Sequence, residues 1–107
     1  MAEIVGQARR VAATSAKAAL TTVIWSYSAL ADLLGIRSYI AQFNPAAASD
    51  IAARLIEAGN SLQRVPDRGR AAGDGLREWT LVHPYVIRYE IVGLEVHILG
   101  VRHGRRA

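Results

Sequence analysis

Cysteine is absent from this 107-residue chain, which excludes disulfides and thiolate metal sites and leaves the fold compatible with a reducing compartment. Long apolar runs are missing too: none approaches the roughly 18–20 residues that a membrane-spanning helix needs. Lysine is almost absent, since 12 of the 13 basic residues are arginine and Lys17 is the exception. The three histidines, His83, His97 and His103, have neither a paired spacing nor a carboxylate cluster, so no metal site is expected. Nothing in the chain asks for a cofactor. No continuous apolar stretch of about 7–15 residues follows the first charges, as a secretory leader would require.

What is present suits one modest core: 51% hydrophobic residues, 7% aromatic, in a length that supports a single domain. Thirteen basic residues against nine acidic give a net charge of +4. A basic surface made of arginine fits acidic protein or nucleic acid, because guanidinium binds carboxylate and phosphate in a planar, bidentate way. A genome rich in G and C would produce the same arginine bias. Basic–aromatic interleaving of the RNA-binding kind is missing, so no sequence-specific nucleic-acid contact is expected.

Residues 1–21 differ from the rest: rich in alanine, without aromatics, with Arg9, Arg10 and Lys17 against Glu3. They read as an N-terminal extension outside the core, either a helix or upstream codons. The domain proper is expected over residues 22–107. Thr22-Val23-Ile24-Trp25 is a β-type run, and Ser26 or Ser28 can cap the helix that follows. From Ala29 to Phe43, Leu33, Ile36, Ile40 and Phe43 recur at helical spacing and predict a buried stripe. Gly35 within it predicts a close neighbour. Asn44-Pro45 restarts the pattern as cap and first helical residue. From about Ala46 to Arg64, Ala48, Ile51, Leu55, Ala58 and Leu62 recur at 3, 4, 3 and 4.

Pro66 to Gly75 is a loop by every breaker signal. Three β-type runs follow: REWTLVH, YVIRYEI and EVHILGV, joined by connections that permit only antiparallel neighbours. The second run predicts Tyr85, Ile87, Tyr89 and Ile91 toward the helices, with Val86, Arg88 and Glu90 on the open face. His97 should lie opposite Val96 and Ile98. The expected fold is α+β, in the order β-α-α-β-β-β, with an α-hairpin on one face of a mostly antiparallel sheet.

The signposts Trp25-Ser26-x-x-Ala29, Asn44-Pro45-Ala46-Ala47-Ala48, Pro66-x-x-Gly69-Arg70, Gly75-Leu76-Arg77-Glu78-Trp79, Tyr85-Val86-Ile87-Arg88-Tyr89 and Val101-Arg102-His103-Gly104 follow one another over most of the chain. In that order they resemble the ParE branch of the ParE/RelE toxin superfamily, known from plasmid-stabilisation and other type II toxin–antitoxin modules of bacteria. The resemblance implies a cytoplasmic toxin in a hetero-oligomeric complex with a cognate ParD-like antitoxin. Part of that antitoxin would lie on the exposed faces of the helical hairpin and sheet. The ParE branch acts on DNA gyrase, whereas the RelE branch cleaves mRNA on the ribosome. Three departures lead away from RelE-type cleavage: Val86 stands where an arginine is expected, no tyrosine follows Tyr89, and no lysine follows Lys17.

The expected toxin therefore has no catalytic residue of its own. The alternatives are an endoribonuclease using Arg88, His83 or His103, and an inactive relic. Candidate partner-binding residues are Arg70, Arg77, Arg88, Arg102, His103, Arg105 and Arg106. For Arg88, a cross-strand ion pair with Glu78 or Glu95 is the competing role. His103 can equally terminate its strand with ordinary hydrogen bonds. Trp25 and Trp79 are expected in the core or packed on the sheet.

Overall fold

The computed structural model describes residues 21–104. Strand β1 (Thr22–Trp25) leads into α1 (Tyr27–Ala41) and α2 (Pro45–Asn60), extended by a 3-10 turn at Ser61–Gln63. Four strands follow: β2 (Arg70–Ala71), β3 (Leu76–Trp79), β4 (Tyr85–Val92) and β5 (Glu95–His103). The sheet order is β1-β5-β4-β3-β2, antiparallel except where β1 runs parallel to β5. The two helices pack on one face. The expected fold class is therefore the observed one. One addition is β2, a two-residue edge strand inside the segment expected to be all loop.

Each helix starts where its cap chemistry dictates. Ser26 Oγ accepts the Ala29 amide at 3.0 Å, and Asn44 Oδ1 accepts the Ala47 amide at 3.0 Å with Pro45 as first helical residue. On α2 the expected stripe is the core: Ala48, Leu55, Ala58 and Leu62 are buried and Ile51 packs against them. On α1, Ala29 and Leu33 are buried and Ile36 packs on the core, but Phe43 is 73% exposed. The helix ends at Ala41, so Phe43 sits in the turn and meets Tyr39 edge-on, ring centroids 5.5 Å apart.

Gly35 has no close neighbour; Gly59 and Gly69 do. A Cβ at Gly59 would collide with the Trp25 ring, and one at Gly69 would stand 2.7 Å from both Glu78 O and Tyr89 Oη. Thr21, assigned to the extension on composition, is buried and its hydroxyl donates to the carbonyls of Leu62 and Gln63. The rest of that segment lies outside the described residues.

A β-bulge shapes β5. Arg88 pairs with Gly100 and Tyr89 with Ile98, leaving Leu99 as the extra residue. The buried positions of β5 accordingly run Val96, Ile98, Val101. The bulge is tied to the start of α1: the Ser26 amide donates to Ile98 O, the Ser26 hydroxyl to Leu99 O, and the Val101 amide to Asp32 Oδ2. Strand β3 is shorter than the run REWTLVH, because the chain turns before Pro84 and the Tyr85 amide bonds Val82 O, burying Val82.

Candidate functional site

Alternation along β4 divides the sheet into two chemistries. Ile87 and Tyr89 are buried on the helix side and Tyr85 packs there; Ile91, at the strand end, is 36% exposed. Val86, Arg88 and Glu90 take the open face, with the partners their register brings: Glu78 and Gly100 beside Arg88, Arg102 beside Val86, and His97 beside Glu90.

On that open face three guanidinium groups converge on one carboxylate. Glu78, its side chain only 13% exposed, receives Arg70 Nη2 at 3.3 Å on Oε1 and Arg102 Nη2 at 3.1 Å on Oε2. Arg88 Nε stands 3.7 Å from Oε2, close enough for an ion pair and too far for a hydrogen bond. Both Arg88 Nε and Arg102 Nε are buried without a hydrogen-bond partner. Three cations share one anion, leaving a local excess of two positive charges. Strand pairing explains the assembly, since β2, β3 and β4 place Arg70, Glu78 and Arg88 in one cross-strand row.

The other sequence candidates are placed elsewhere. Arg77, on the helix-side row with Tyr89, gives Nε to Gly69 O at 3.0 Å and Nη2 to Asp67 O at 3.1 Å, so its guanidinium braces the loop. His103 pairs with Tyr85 across β4 and β5 and meets its ring edge-on at 5.7 Å, on the helix-side row and opposite Arg88. His83 is exposed in the turn before Pro84. Arg88, His83 and His103 are therefore not gathered on one face. His97 on the open face is held at 2.8 Å by Glu95, and Arg88 pairs with Glu78, not Glu95. Arg105 and Arg106 lie outside the described residues. Among the described residues no group of His, Asp or Glu is arranged to hold a metal ion, and no helix is long and apolar enough to cross a membrane.

Two features escaped the sequence reading. One is Glu78 as the hub of the arginines; the run Arg77-Glu78-Trp79 gives the register but not the convergence. The other is the outer side of α1, where Tyr27 is 93% exposed, Leu34 62% and Leu30 42%. The signal was available: Tyr27, Leu30 and Leu34 recur at spacings of 3 and 4, on a different side from Leu33 and Ile36.

Comparison with known proteins gives a consistent lineage. The family described as ParE toxin of the type II toxin–antitoxin system parDE matches residues 23–107. Toxin RelE2 of Caulobacter vibrioides is 49% identical over 87 residues, covering 81% of this chain and 99% of that protein. Toxin RelE1 of the same organism is 34% identical, covering 78% and 92%. Among solved structures, the chromosomal ParDE toxin–antitoxin system of P. aeruginosa superposes with a TM-score of 0.73 at 26% identity, over 78% of this chain and 96% of that one. The toxin–antitoxin complex RelBE2 of Mycobacterium tuberculosis does so with 0.60 at 26%, over 81% and 94%. With residues 23–107, from within β1 to the chain end, inside the family match, this chain belongs to the ParE toxin family of type II toxin–antitoxin systems.

Proposed function

We propose that this chain is a cytoplasmic toxin, held inactive by a cognate ParD-like antitoxin, that acts on DNA gyrase through protein–protein contact. The observation that carries this reading is the division of Arg88 and His103 between two faces of the sheet, with His83 in an exposed turn. Cleavage of RNA at a 2′-OH needs a base, an acid and a phosphate clamp around one phosphodiester. Here the arginines of the open face converge on Glu78. A face of guanidinium groups beside the half-buried Leu76 and Val86 fits protein recognition. The solved relatives come from toxin–antitoxin systems, which supports the antitoxin as first partner.

The names of the two Caulobacter vibrioides relatives favour a second reading, a ribosome-dependent endoribonuclease. Purified chain added to gyrase and supercoiled DNA, and in parallel to translating ribosomes, separates the two. Inhibited supercoiling or trapped cleavage complexes with intact mRNA is the expected result. Position-specific mRNA cuts that vanish in Arg88→Ala would reverse the assignment. Co-expression with the neighbouring gene's product should abolish growth inhibition.

A further inference from the structure

We propose that Glu78 is a resident counter-ion of a carboxylate-binding site. In the free protein it holds Arg70, Arg88 and Arg102 in place. It also sets how much negative charge an extended acidic segment of the protein partner must bring. The inference rests on the partner-binding reading above and names the chemistry of the contact.

The cluster leaves hydrogen-bonding capacity unused. A guanidinium group carries five N–H donors, yet toward Glu78 Arg70 and Arg102 each give one hydrogen bond and Arg88 only an ion pair at 3.7 Å. The Nε of Arg88 and that of Arg102 have no acceptor. Those two Nε atoms are shielded from solvent, so an incoming oxygen anion would bond the terminal Nη groups of side chains that are 37% and 34% exposed. Glu78 explains why three like charges tolerate one another without a partner present. Its side chain, 13% exposed against 82% for that of Arg70, lies at the base of the cluster with the cations around it. One anion cannot balance three cations, so the excess falls on the solvent side.

The surroundings select the source of the anion. The open-face row holds Leu76 beside Glu90, and Val86 beside Arg102. No tyrosine, tryptophan or phenylalanine shares this face, and stacking rings are what a single-stranded nucleic acid would use. A polypeptide in extended form alternates side chains with a period of two. Acidic residues at every second position can then meet the arginines. The occupant to which these features commit is an acidic peptide segment, with carboxylate oxygens on Arg88 and Arg102.

The test uses the full chain and two labelled probes: a peptide of alternating Glu and Val, and a single-stranded RNA of equal charge. Peptide binding should weaken about tenfold or more in Arg88→Ala and in Arg102→Ala, as for close interfacial charge pairs, and tighten in Glu78→Gln. Arg54→Ala and Glu57→Gln, the same charge changes on exposed positions of α2, should leave it unchanged. If Glu78→Gln reduces the folded fraction, Arg70→Glu reads the same dependence at an exposed position, with weaker peptide binding expected. Peptide affinity that is indifferent to Arg88, Arg102 and Arg70, or RNA that binds more tightly with the same arginine dependence, overturns the proposal. Antitoxin neutralisation is read separately by co-expression, so loss of one result is distinguishable from loss of the other.

Discussion

Asp32, near the middle of α1, accepts the amide of Val101 at 3.0 Å, just past the bulge in β5. A helix side chain thus supplies a hydrogen bond to the strand, and with Ser26 it locks the first helix to the irregular point of the sheet. Hydrogen bonds to charged groups are worth about 1.5–3 kcal/mol in buried settings. Asp32 is exposed, so Asp32→Ala should lower stability by about 1 kcal/mol in urea unfolding. Asp32→Asn keeps an acceptor and should lose less. An unchanged midpoint in Asp32→Ala would show that water replaces the carboxylate without cost.

Tyr89, also on the helix side of the sheet, ties down the loop before β2. Its buried hydroxyl donates to Pro66 O at 2.6 Å and accepts the Gly69 amide at 2.9 Å. Tyr89→Phe keeps the ring and leaves a buried amide unpaired, which costs about 1–3 kcal/mol. Amide exchange at Gly69 should accelerate in the same variant. Stability equal to wild type, with Gly69 still protected, would contradict this role.

Gly59 carries a prediction about packing. A methyl group there would push into the Trp25 ring and stand 2.9 Å from Ile98 Cδ1, between α2 and the sheet. Trp25 has little freedom to yield, because its Nε1 donates to Asn60 Oδ1 at 3.0 Å. Overpacking of this kind costs about 1–3 kcal/mol. Gly59→Ala, made in a Trp79→Phe background, should destabilise the chain and alter the Trp25 emission. Gly35→Ala, with open space around it, should be neutral or slightly stabilising through helix propensity.

How far these features were legible in the sequence depends on their range. The stripe Ala48, Ile51, Leu55, Ala58, Leu62 was readable because helical period and burial coincide along one element. Asn44 and Ser26 were readable because capping is local. The pairing of Arg88 with Glu78 was one of two options that strand alternation left open, and only the register chose it. Convergence of Arg70 and Arg102 on the same carboxylate needed a short edge strand hidden in a loop and a bulge that resets β5. The edge strand leaves no mark in alternation, and the bulge shows only as an interruption, with Ile98 two residues after Val96 but Val101 three after Ile98. Gly35 was misjudged for the same reason: it looked constrained within its helix, whereas the close approaches fall at Gly59 and Gly69, where Trp25 and Tyr89, 34 and 20 positions away in sequence, come in.

The outer side of α1 gives the last prediction. Tyr27, Leu30 and Leu34 follow one another at helical spacing and remain exposed, while Ala29 and Leu33 of the same helix are in the core. Apolar side chains exposed in a contiguous row mark a surface that is covered in the working assembly. In the proposed complex the antitoxin covers it. Leu34→Asp should therefore cost the free chain little stability, within about 0.5 kcal/mol, because the residue already faces water. Leu30→Asp, at a partly covered position, should cost more. Both should weaken antitoxin binding by about 2 kcal/mol or more if these side chains enter a hydrophobic pocket of the partner. The paired measurement is decisive, with unfolding of the free chain on one side and titration with the antitoxin on the other. Normal antitoxin affinity in Leu34→Asp and Leu30→Asp together would move the interface off this helix and leave its apolar row to another partner.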